Sequence, residues 1–212
     1  TGGILGQELL EGIARLAIDN DFVVLADEVY SRMVYDGEHF SIVQVPGMKE
    51  RTILLDGFSK TYAMTGWRLG FIAAPEELAE PITKLITNSI SCTASFEQIA
   101  GITALTGPQR DVDTMVEEFH RRRDMIVKGL NEIKGVSCKN PGGAFYVFPN
   151  VREVPMAPEE LAPYLMEEAG VACLPGTSFG EYGKGHLRLS YVVSYEEIEK
   201  ALTNIDKAIS RI

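Results

Sequence analysis

The sequence predicts an α/β fold in which short strands alternate with amphipathic helices. Three short runs of apolar residues, at 22–26, 53–55 and 71–74, have the length and composition of strands in a buried sheet. Apolar side chains recur at helical spacing elsewhere, most clearly over residues 5–19 and 111–134. This alternation is typical of an α/β protein.

The composition and net charge of the chain argue against nucleic-acid, membrane and metal partners. The chain of 212 residues is 45% hydrophobic and carries a formal net charge of −10, which is unfavourable for a nucleic-acid surface. It shows neither an apolar run of membrane-spanning length nor a signal-peptide pattern. Cys92, Cys138 and Cys173 have no metal-ligand spacing. We therefore expect a cytoplasmic protein with no metal, nucleic-acid or membrane partner.

The first helix and strand lead to a candidate carboxylate. Gly6 and Gly12 are expected to weaken the helix at 5–19 by roughly 1 kcal/mol each relative to Ala. The strand at 22–26 is expected to be covered on both faces. Asp27 follows at its carboxyl end, where ligands bind in open α/β sheets. Its carboxylate could pair with a protonated ring nitrogen or simply cap a helix, and the pattern leaves both open.

The stretch after the second run contains the strongest candidate for chemistry. Asp56 and Gly57 are expected to end the strand, and Lys60 follows among aromatic and apolar residues. Such a setting disfavours the charged form of lysine and frees its amine as a nucleophile. Arg68 is a permanent cation suited to a phosphate or a carboxylate. A lysine that only extends from a strand end to solvent is the alternative, but the arginine and nearby glycines favour a function.

The remainder of the chain continues the mixed pattern. Pro75 is expected to open a helix, residues 87–93 to form a polar loop, and Ser95 to begin a helix through a capping box. The helix at 111–134 is expected to join two domains and to expose the arginines at 121–123. The later predicted elements are strands at 136–139, 144–148, 171–174 and 186–191, a helix at 158–169, and a last helix capped by Ser194 with Glu197.

Two strings, GFSK at 57–60 and GWRLG at 66–70, resemble the lysine motif of class I aminotransferases. These are fold-type-I enzymes that use pyridoxal 5′-phosphate (PLP). The resemblance implies that Lys60 carries PLP covalently and that Arg68 holds its phosphate.

Further positions extend the resemblance to the cofactor site. Many family members carry Ser where Gly57 stands, and Ser59 could supply a phosphate-binding hydroxyl instead. The pair Asp27 and Tyr30 matches the family's D-x-x-Y pattern. By that match, Asp27 pairs with the pyridine nitrogen and Tyr30 bonds the cofactor's 3′ oxygen.

Arg188 is the candidate for substrate binding. It alternates with Leu187 and Leu189 on a predicted strand, so that its side chain points away from theirs. The pattern alone is equally compatible with an exposed sheet position. The family places an arginine that binds the substrate's α-carboxylate in a similar strand after a G-x-x-F-G loop, which is similar to residues 176–180. Residues 143–146 also resemble a family segment near the substrate, with backbone and packing roles only.

The resemblance covers nearly the whole chain and implies its domain organisation. The opening Thr1 resembles a position inside the family's Asn-Pro-Thr-Gly segment, so roughly the first half of the family's chain is expected to be missing. Residues 1–110 are then the C-terminal portion of the large PLP-binding domain. Residues 111–134 form a linking helix and 135–212 a small α/β C-terminal domain. Such a truncated sheet is expected to leave an edge or an apolar face uncovered.

The function implied is PLP-dependent transamination between an amino acid and a 2-oxo acid, by a homodimer when full-length and with the fragment alone inactive. A PLP-dependent lyase or synthase of the same superfamily is an alternative, because Lys60, Asp27 and Arg188 would serve both. A non-catalytic sensing domain of a regulator is another, although no helix-turn-helix or basic region is present. The sequence has no arginine between Lys84 and Arg110, where the dicarboxylate-specific branch places one, which disfavours aspartate specificity by that route.

Overall fold

The computed structural model describes every residue from Thr1 to Ile212, and the chain divides into two compact units. The sheet unit comprises Ile4–Thr114, and the C-terminal unit comprises Thr1–Gly3 and Met115–Ile212. The division falls within the long helix predicted over 111–134. The assignment of the chain to a large domain, a linking helix and a small domain stays a prediction.

The sheet unit consists of one small sheet and its surrounding helices. Its elements in chain order are α1 (Gln7–Asp19), β1 (Val24–Asp27), β2 (Thr52–Gly57), α2 (Phe58–Thr61), β3 (Gly70–Ala73), α3 (Glu76–Ser89) and α4 (Ser95–Thr106). The strand order is β1-β2-β3, with β1 parallel and β3 antiparallel to β2. Asp27 lies opposite Leu55, and Gly57 lies opposite Gly70. Since β1 and β2 end where β3 begins, we call this side of the sheet its carboxyl edge.

One face of β1 packs on α1, and the other is uncovered. The buried cluster that joins α1 to the following loop consists of Leu10, Ala14, Ala17, Ile42 and Met48. Val24 and Ala26 pack against this cluster, whereas Leu25 between them is 65% exposed. The prediction that this strand is covered on both faces is therefore wrong for this chain, because only one face meets a helix.

The sheet unit exposes a broad set of large apolar side chains. Those more than 60% exposed are Leu16, Leu25, Leu85, Ile90, Phe96 and Ile99. Apolar surface of this kind marks regions that contact another chain or segment. The prediction of an uncovered apolar face is confirmed.

Several element boundaries in the sheet unit differ from those predicted. β2 includes Asp56 and Gly57, because both residues pair with β3 rather than breaking the strand. α3 continues to Ser89, into the predicted polar loop. Ser95 is the first helical residue of α4 and caps nothing, so the predicted capping box is absent. Gly6 is the N-cap of α1 with extended backbone, so it does not weaken the helix interior.

The C-terminal unit contains a second small sheet with helices. Its elements are α5 (Arg110–Glu132, which begins in the sheet unit), β4 (Tyr146–Val147), α6 (Pro158–Ala169), β5 (Leu174–Pro175), β6 (Leu187–Ser190) and α7 (Tyr195–Ile209). The strand order is β4-β6-β5, and both pairs are antiparallel. Leu187 and Leu189 are buried while Arg188 is half-buried, which confirms the predicted alternation along β6.

In the C-terminal unit, the bounds of α6 and the cap of α7 agree with the sequence predictions, whereas two predicted strands do not. α6 has the predicted bounds, and the Ser194 hydroxyl accepts a hydrogen bond from the Glu197 N–H (3.3 Å), so the predicted cap of α7 is confirmed. The strand predicted over 136–139 is absent, apart from one bridge between Ser137 and Asn150. The strand predicted over 171–174 is displaced to β5.

The three consecutive arginines of α5, at 121–123, do not share one exposed face. Arg121 and Arg122 both bond Glu118 on the helix surface. Arg123 is only 3% exposed, and its Nη1 donates to the Pro141 carbonyl (3.1 Å). The prediction of an exposed cluster is therefore wrong for Arg123.

None of the helices combines the length and hydrophobicity needed to cross a membrane.

Candidate active site

The carboxyl edge of the sheet unit brings together most of the predicted site residues. Asp27 is the last residue of β1, and Lys60 lies on the short helix α2, which begins directly after β2. Arg68 lies two residues before β3 begins, so it emerges at the same edge. Carboxyl ends of adjacent parallel strands are where open α/β sheets bind ligands.

The Lys60 amine is placed over an aromatic ring. Its Nζ lies 5.8 Å from the ring centroid of Tyr30, which is in the turn after β1. α2 is fixed from below by Phe58, which is 4% exposed and whose N–H donates to the Leu69 carbonyl (3.1 Å). The Phe58 ring also packs on Tyr62 (5.5 Å between centroids). The predicted proximity of Lys60 and Tyr30 is thus confirmed.

Asp27 has one oxygen engaged and one available. Its Oδ1 accepts the N–H of Val29 (3.2 Å), in the local pattern common for aspartate in turns. No helix follows, so Asp27 is not a helix N-cap. The carboxylate is exposed and its Oδ2 makes no hydrogen bond within the chain, so it can accept one from a ligand.

Glu28 organises the loop beside Asp27. Its Oε1 accepts the Ser41 hydroxyl proton (2.6 Å), and its Oε2 lies 2.7 Å from His39 Nε2. These bonds tie the turn after β1 to the segment at 39–41. Glu28 is not among the predicted site residues, because its partners are set by how the loop folds and not by spacing.

Arg68 and Ser59 offer donors to an anion. Arg68 has left-handed backbone (φ 52°, ψ 38°), which costs a residue with a Cβ about 1–2 kcal/mol. Its Nη1 donates to the Thr65 carbonyl (2.9 Å), and its side chain is largely exposed. Strained backbone is concentrated at functional sites, which supports a function for Arg68. Ser59 is half-buried on α2, next to Lys60.

Asp56 is an acid at the same edge that the sequence analysis treated only as a strand breaker. Burial raises the pKa of its carboxyl, while hydrogen bonds from the Gly57 N–H (2.6 Å) and the Ser31 hydroxyl (3.5 Å) oppose this rise. Its Cα pairs with Phe71 in β3. Pairing across the sheet is what places Asp56 there, and the local sequence carries no signal for it.

Arg188 belongs to the C-terminal unit, where two aromatic rings hold it. Its guanidinium carbon lies 3.6 Å from the ring centroid of Phe179 and 4.5 Å from that of Tyr146. No hydrogen bond or ion pair joins Arg188 to the rest of the chain. A half-buried cation with free N–H donors suits an anionic ligand. Both aromatic residues lie in the segments at 143–146 and 176–180 that resemble the family, but their contact with Arg188 was not predicted.

The side chains at the carboxyl edge define the chemistry available there. No group of three or more His, Cys, Asp or Glu side chains is arranged to hold a metal ion. The carboxyl edge instead offers an amine, a carboxylate, a phenol and an arginine. This set can form a covalent bond to a carbonyl carbon and can hold both an anionic and a cationic group.

The chain is similar to known aminotransferases in sequence. The family model for aminotransferase class I and II matches residues 1–205. Aromatic-amino-acid aminotransferase 2 of Thermococcus litoralis is 41% identical over 212 residues, covering 99% of this chain and 54% of that protein. The aspartate aminotransferase of Pyrococcus abyssi is likewise 41% identical over 212 residues, with coverage of 99% and 54%.

A solved structure agrees in fold. The crystal structure of an aromatic aminotransferase from Pyrococcus horikoshii matches with a TM-score of 0.96 and 40% identity, over 100% of this chain and 57% of that one. The chain therefore spans about half the length of the relatives it matches. Its fold is that of the corresponding part of a fold-type-I aminotransferase. On both sequence and structure, the chain belongs to the class I and II aminotransferase family.

Proposed function

We propose that the whole protein containing these residues is a PLP-dependent aminotransferase, which moves an amino group from an amino acid to a 2-oxo acid. The observation that carries the proposal is the placement of Lys60. It follows β2 on α2, its amine lies over the Tyr30 ring (5.8 Å), and the parallel neighbour β1 ends at Asp27. The names of the relatives support transamination over the lyase and sensor alternatives.

The donor set of the carboxyl edge fits PLP. PLP has an aldehyde, a phosphate, a ring hydroxyl and a basic ring nitrogen. Lys60 would hold it covalently, Arg68 and Ser59 would bind the phosphate, and Asp27 and Tyr30 would bond the ring. When bound, PLP supplies an electron sink for the negative charge that develops on the substrate's α-carbon.

The chain's own residues would then perform three tasks. Once the substrate's amine has displaced it from PLP, the free amine of Lys60 would take the proton from the substrate's α-carbon and deliver it to the PLP carbon that Lys60 had held. The ionised Asp27 carboxylate would favour the protonated ring nitrogen through its unbonded oxygen. Arg188 would bind the substrate's carboxylate with two parallel N–H bonds and so orient the α-carbon.

Substrate and assembly are part of the same proposal. The relatives are named for aspartate and for aromatic amino acids, so their names do not assign one donor. Because no arginine lies between Lys84 and Arg110, we propose that residues in this interval do not select a dicarboxylate by charge. We propose a homodimer for the whole protein, which sedimentation equilibrium would test.

The test of the covalent anchor is reduction followed by mapping. The whole protein is incubated with PLP, reduced with borohydride, digested and analysed for the modified lysine. We expect the label on Lys60 and none in Lys60→Ala, with the exposed Lys49 as internal control. A label on Lys49 at the level of Lys60 would overturn the assignment.

Product analysis separates transamination from elimination. An amino acid donor with a 2-oxo acid acceptor should give the exchanged pair, whereas ammonia release without acceptor would favour the lyase. For residues 1–212 alone, we expect weak PLP binding and no turnover, because the anion would have few fixed donors. Tight binding with normal turnover would show that the remaining length of the relatives is dispensable.

A further inference from the structure

The Arg188 guanidinium is stacked on the Phe179 ring. The separation of 3.6 Å between the guanidinium carbon and the ring centroid is a van der Waals contact. Since a C–N bond measures about 1.3 Å, a guanidinium with one N–H aimed straight at the ring would bring that nitrogen far inside contact distance. The face of the guanidinium therefore makes this contact.

Contact through the guanidinium face leaves the binding edge of the arginine free. A guanidinium attracts an aromatic ring through its face but bonds a carboxylate in its own plane. Arg188 makes no hydrogen bond or ion pair within the chain. The ring thus fixes the orientation of the plane without competing for the N–H donors.

Tyr146 adds a second contact from the neighbouring strand. It pairs with Ser190 across β4 and β6, so it lies on the same face of the sheet as Arg188, one diagonal step away. Its ring centroid is 4.5 Å from the guanidinium carbon. Pairing in the sheet positions this ring, whereas Phe179 reaches Arg188 from a loop.

The backbone of that loop is held so that Phe179 lies over Arg188. The Gly176 N–H donates to the His186 carbonyl (2.7 Å). Gly176 and Gly183 approach so closely that a Cβ on either would overlap the other's carbonyl group. The Thr177 hydroxyl donates to Glu159 Oε1 on α6 (2.7 Å). These contacts fix the short helical segment that ends at Phe179.

Core packing does not account for the position of the Phe179 ring, because Phe179 is 46% exposed. We propose that Phe179 is a positioning residue: it holds the Arg188 guanidinium plane so that its N–H edge meets the carboxylate of an amino acid substrate. This inference rests on the proposed function, since it takes Arg188 as the carboxylate-binding residue.

The first test is kinetic and uses the whole protein. Phe179→Leu should raise KM for the amino acid about tenfold with kcat nearly unchanged, because it weakens ground-state and transition-state binding alike. Phe179→Tyr keeps a ring and should restore the wild-type KM. Tyr182→Leu is the matched control, since Tyr182 is in the same loop and 100% exposed, and it should change nothing.

The carboxylate dependence distinguishes positioning from loop damage. A donor amine that lacks the α-carboxylate should be used equally by wild type and Phe179→Leu. Equal losses for the amine and the amino acid would overturn the proposal. So would a failure of Phe179→Tyr to restore KM.

The second test needs no enzymatic activity and also uses the whole protein. The Nε–Hε resonance of Arg188 is followed by NMR in arginine-labelled protein and identified by its loss in Arg188→Lys. It should be shifted by the ring current of Phe179, lose that shift in Phe179→Leu, and respond to acetate but not to equal chloride. The Leu variant should need about ten times more acetate for the same response.

The two tests can refute the proposed function and the positioning role of Phe179 separately. Absence of transamination by the wild type would refute the proposed function while the acetate titration still decides whether Phe179 positions Arg188. An Arg188 resonance that is identical in wild type and Phe179→Leu, or that ignores acetate, would refute the positioning whatever the reaction.

Discussion

Replacing Arg123 with methionine tests whether a buried cation holds the turn that precedes β4. Arg123 lies on α5 and is 3% exposed. Its Nη1 donates to the Pro141 carbonyl (3.1 Å), and its Nε donates to Asp124 Oδ1 (2.9 Å). The Asp124 side chain is 58% exposed, so water can replace the arginine there and the ion pair contributes little.

The substitution removes the hydrogen bond to the buried Pro141 carbonyl and the contact between Arg123 Nη2 and His120 Nε2 (2.6 Å). Methionine keeps much of the apolar stem of Arg123 but strands the Pro141 oxygen, and an unsatisfied buried acceptor costs about 1–3 kcal/mol. With some loss of packing, we expect Arg123→Met to lower the free energy of unfolding by about 2–3 kcal/mol. Arg121→Met is the control on the same helix. Its side chain is 62% exposed, and we expect no measurable change.

Urea unfolding followed by far-UV circular dichroism measures this difference. A loss of 2–3 kcal/mol corresponds to a midpoint lower by roughly 1–2 M urea. Amide hydrogen exchange at residues 142–144 should accelerate only in Arg123→Met. The single tryptophan, Trp67, lies in the sheet unit, so its fluorescence gives a reference for that unit. Equal midpoints for the two arginine variants would refute the reasoning.

Three further predictions concern single side chains. Burial raises the pKa of Cys138 and Cys173 to about 11, so at pH 8 roughly one thousandth of each is thiolate. Iodoacetamide should therefore modify the exposed Cys92 first. The rates of modification of Cys138 and Cys173 should rise about tenfold per pH unit up to pH 11. Early labelling of a buried thiol in mass spectra would contradict this. Gly12→Ala should stabilise α1 by about 1 kcal/mol in urea unfolding, since the added methyl meets only an arginine tip at 3.8 Å; a loss would show hidden crowding. Ser194→Ala should cost about 1 kcal/mol by removing the cap of α7, and unchanged stability would mean that water replaces the hydroxyl.

The sequence predicted those elements whose signals are local. α6 begins at Pro158, which suits the first turn of a helix, and ends before Gly170, whose left-handed backbone (φ 66°) favours glycine. The Ser194 hydroxyl and the Glu197 N–H it bonds are three residues apart, so their contact also follows from spacing. The lysine stretch was predicted for the same reason, because its glycines, Lys60 and Arg68 lie in one short segment.

Burial and partners could not be predicted where they depend on distant segments. Arg123 is adjacent in sequence to Arg121 and Arg122, yet it is buried and donates to the Pro141 carbonyl, which lies 18 residues further along the chain. Leu25 belongs to an apolar run that predicted cover on both faces, yet one face of β1 meets no helix of this chain.

The sequence by itself determined the α/β class, the family and the identity of Lys60 and Arg188 as candidates, because each depends on residues close together along the chain. Only the tertiary structure decided how those candidates are held. The register of β4 on β6 puts Tyr146 beside Arg188, and the fold of the preceding loop lays Phe179 on its guanidinium. Both contacts join residues that are far apart in sequence or set by backbone geometry, so no spacing pattern could have predicted them.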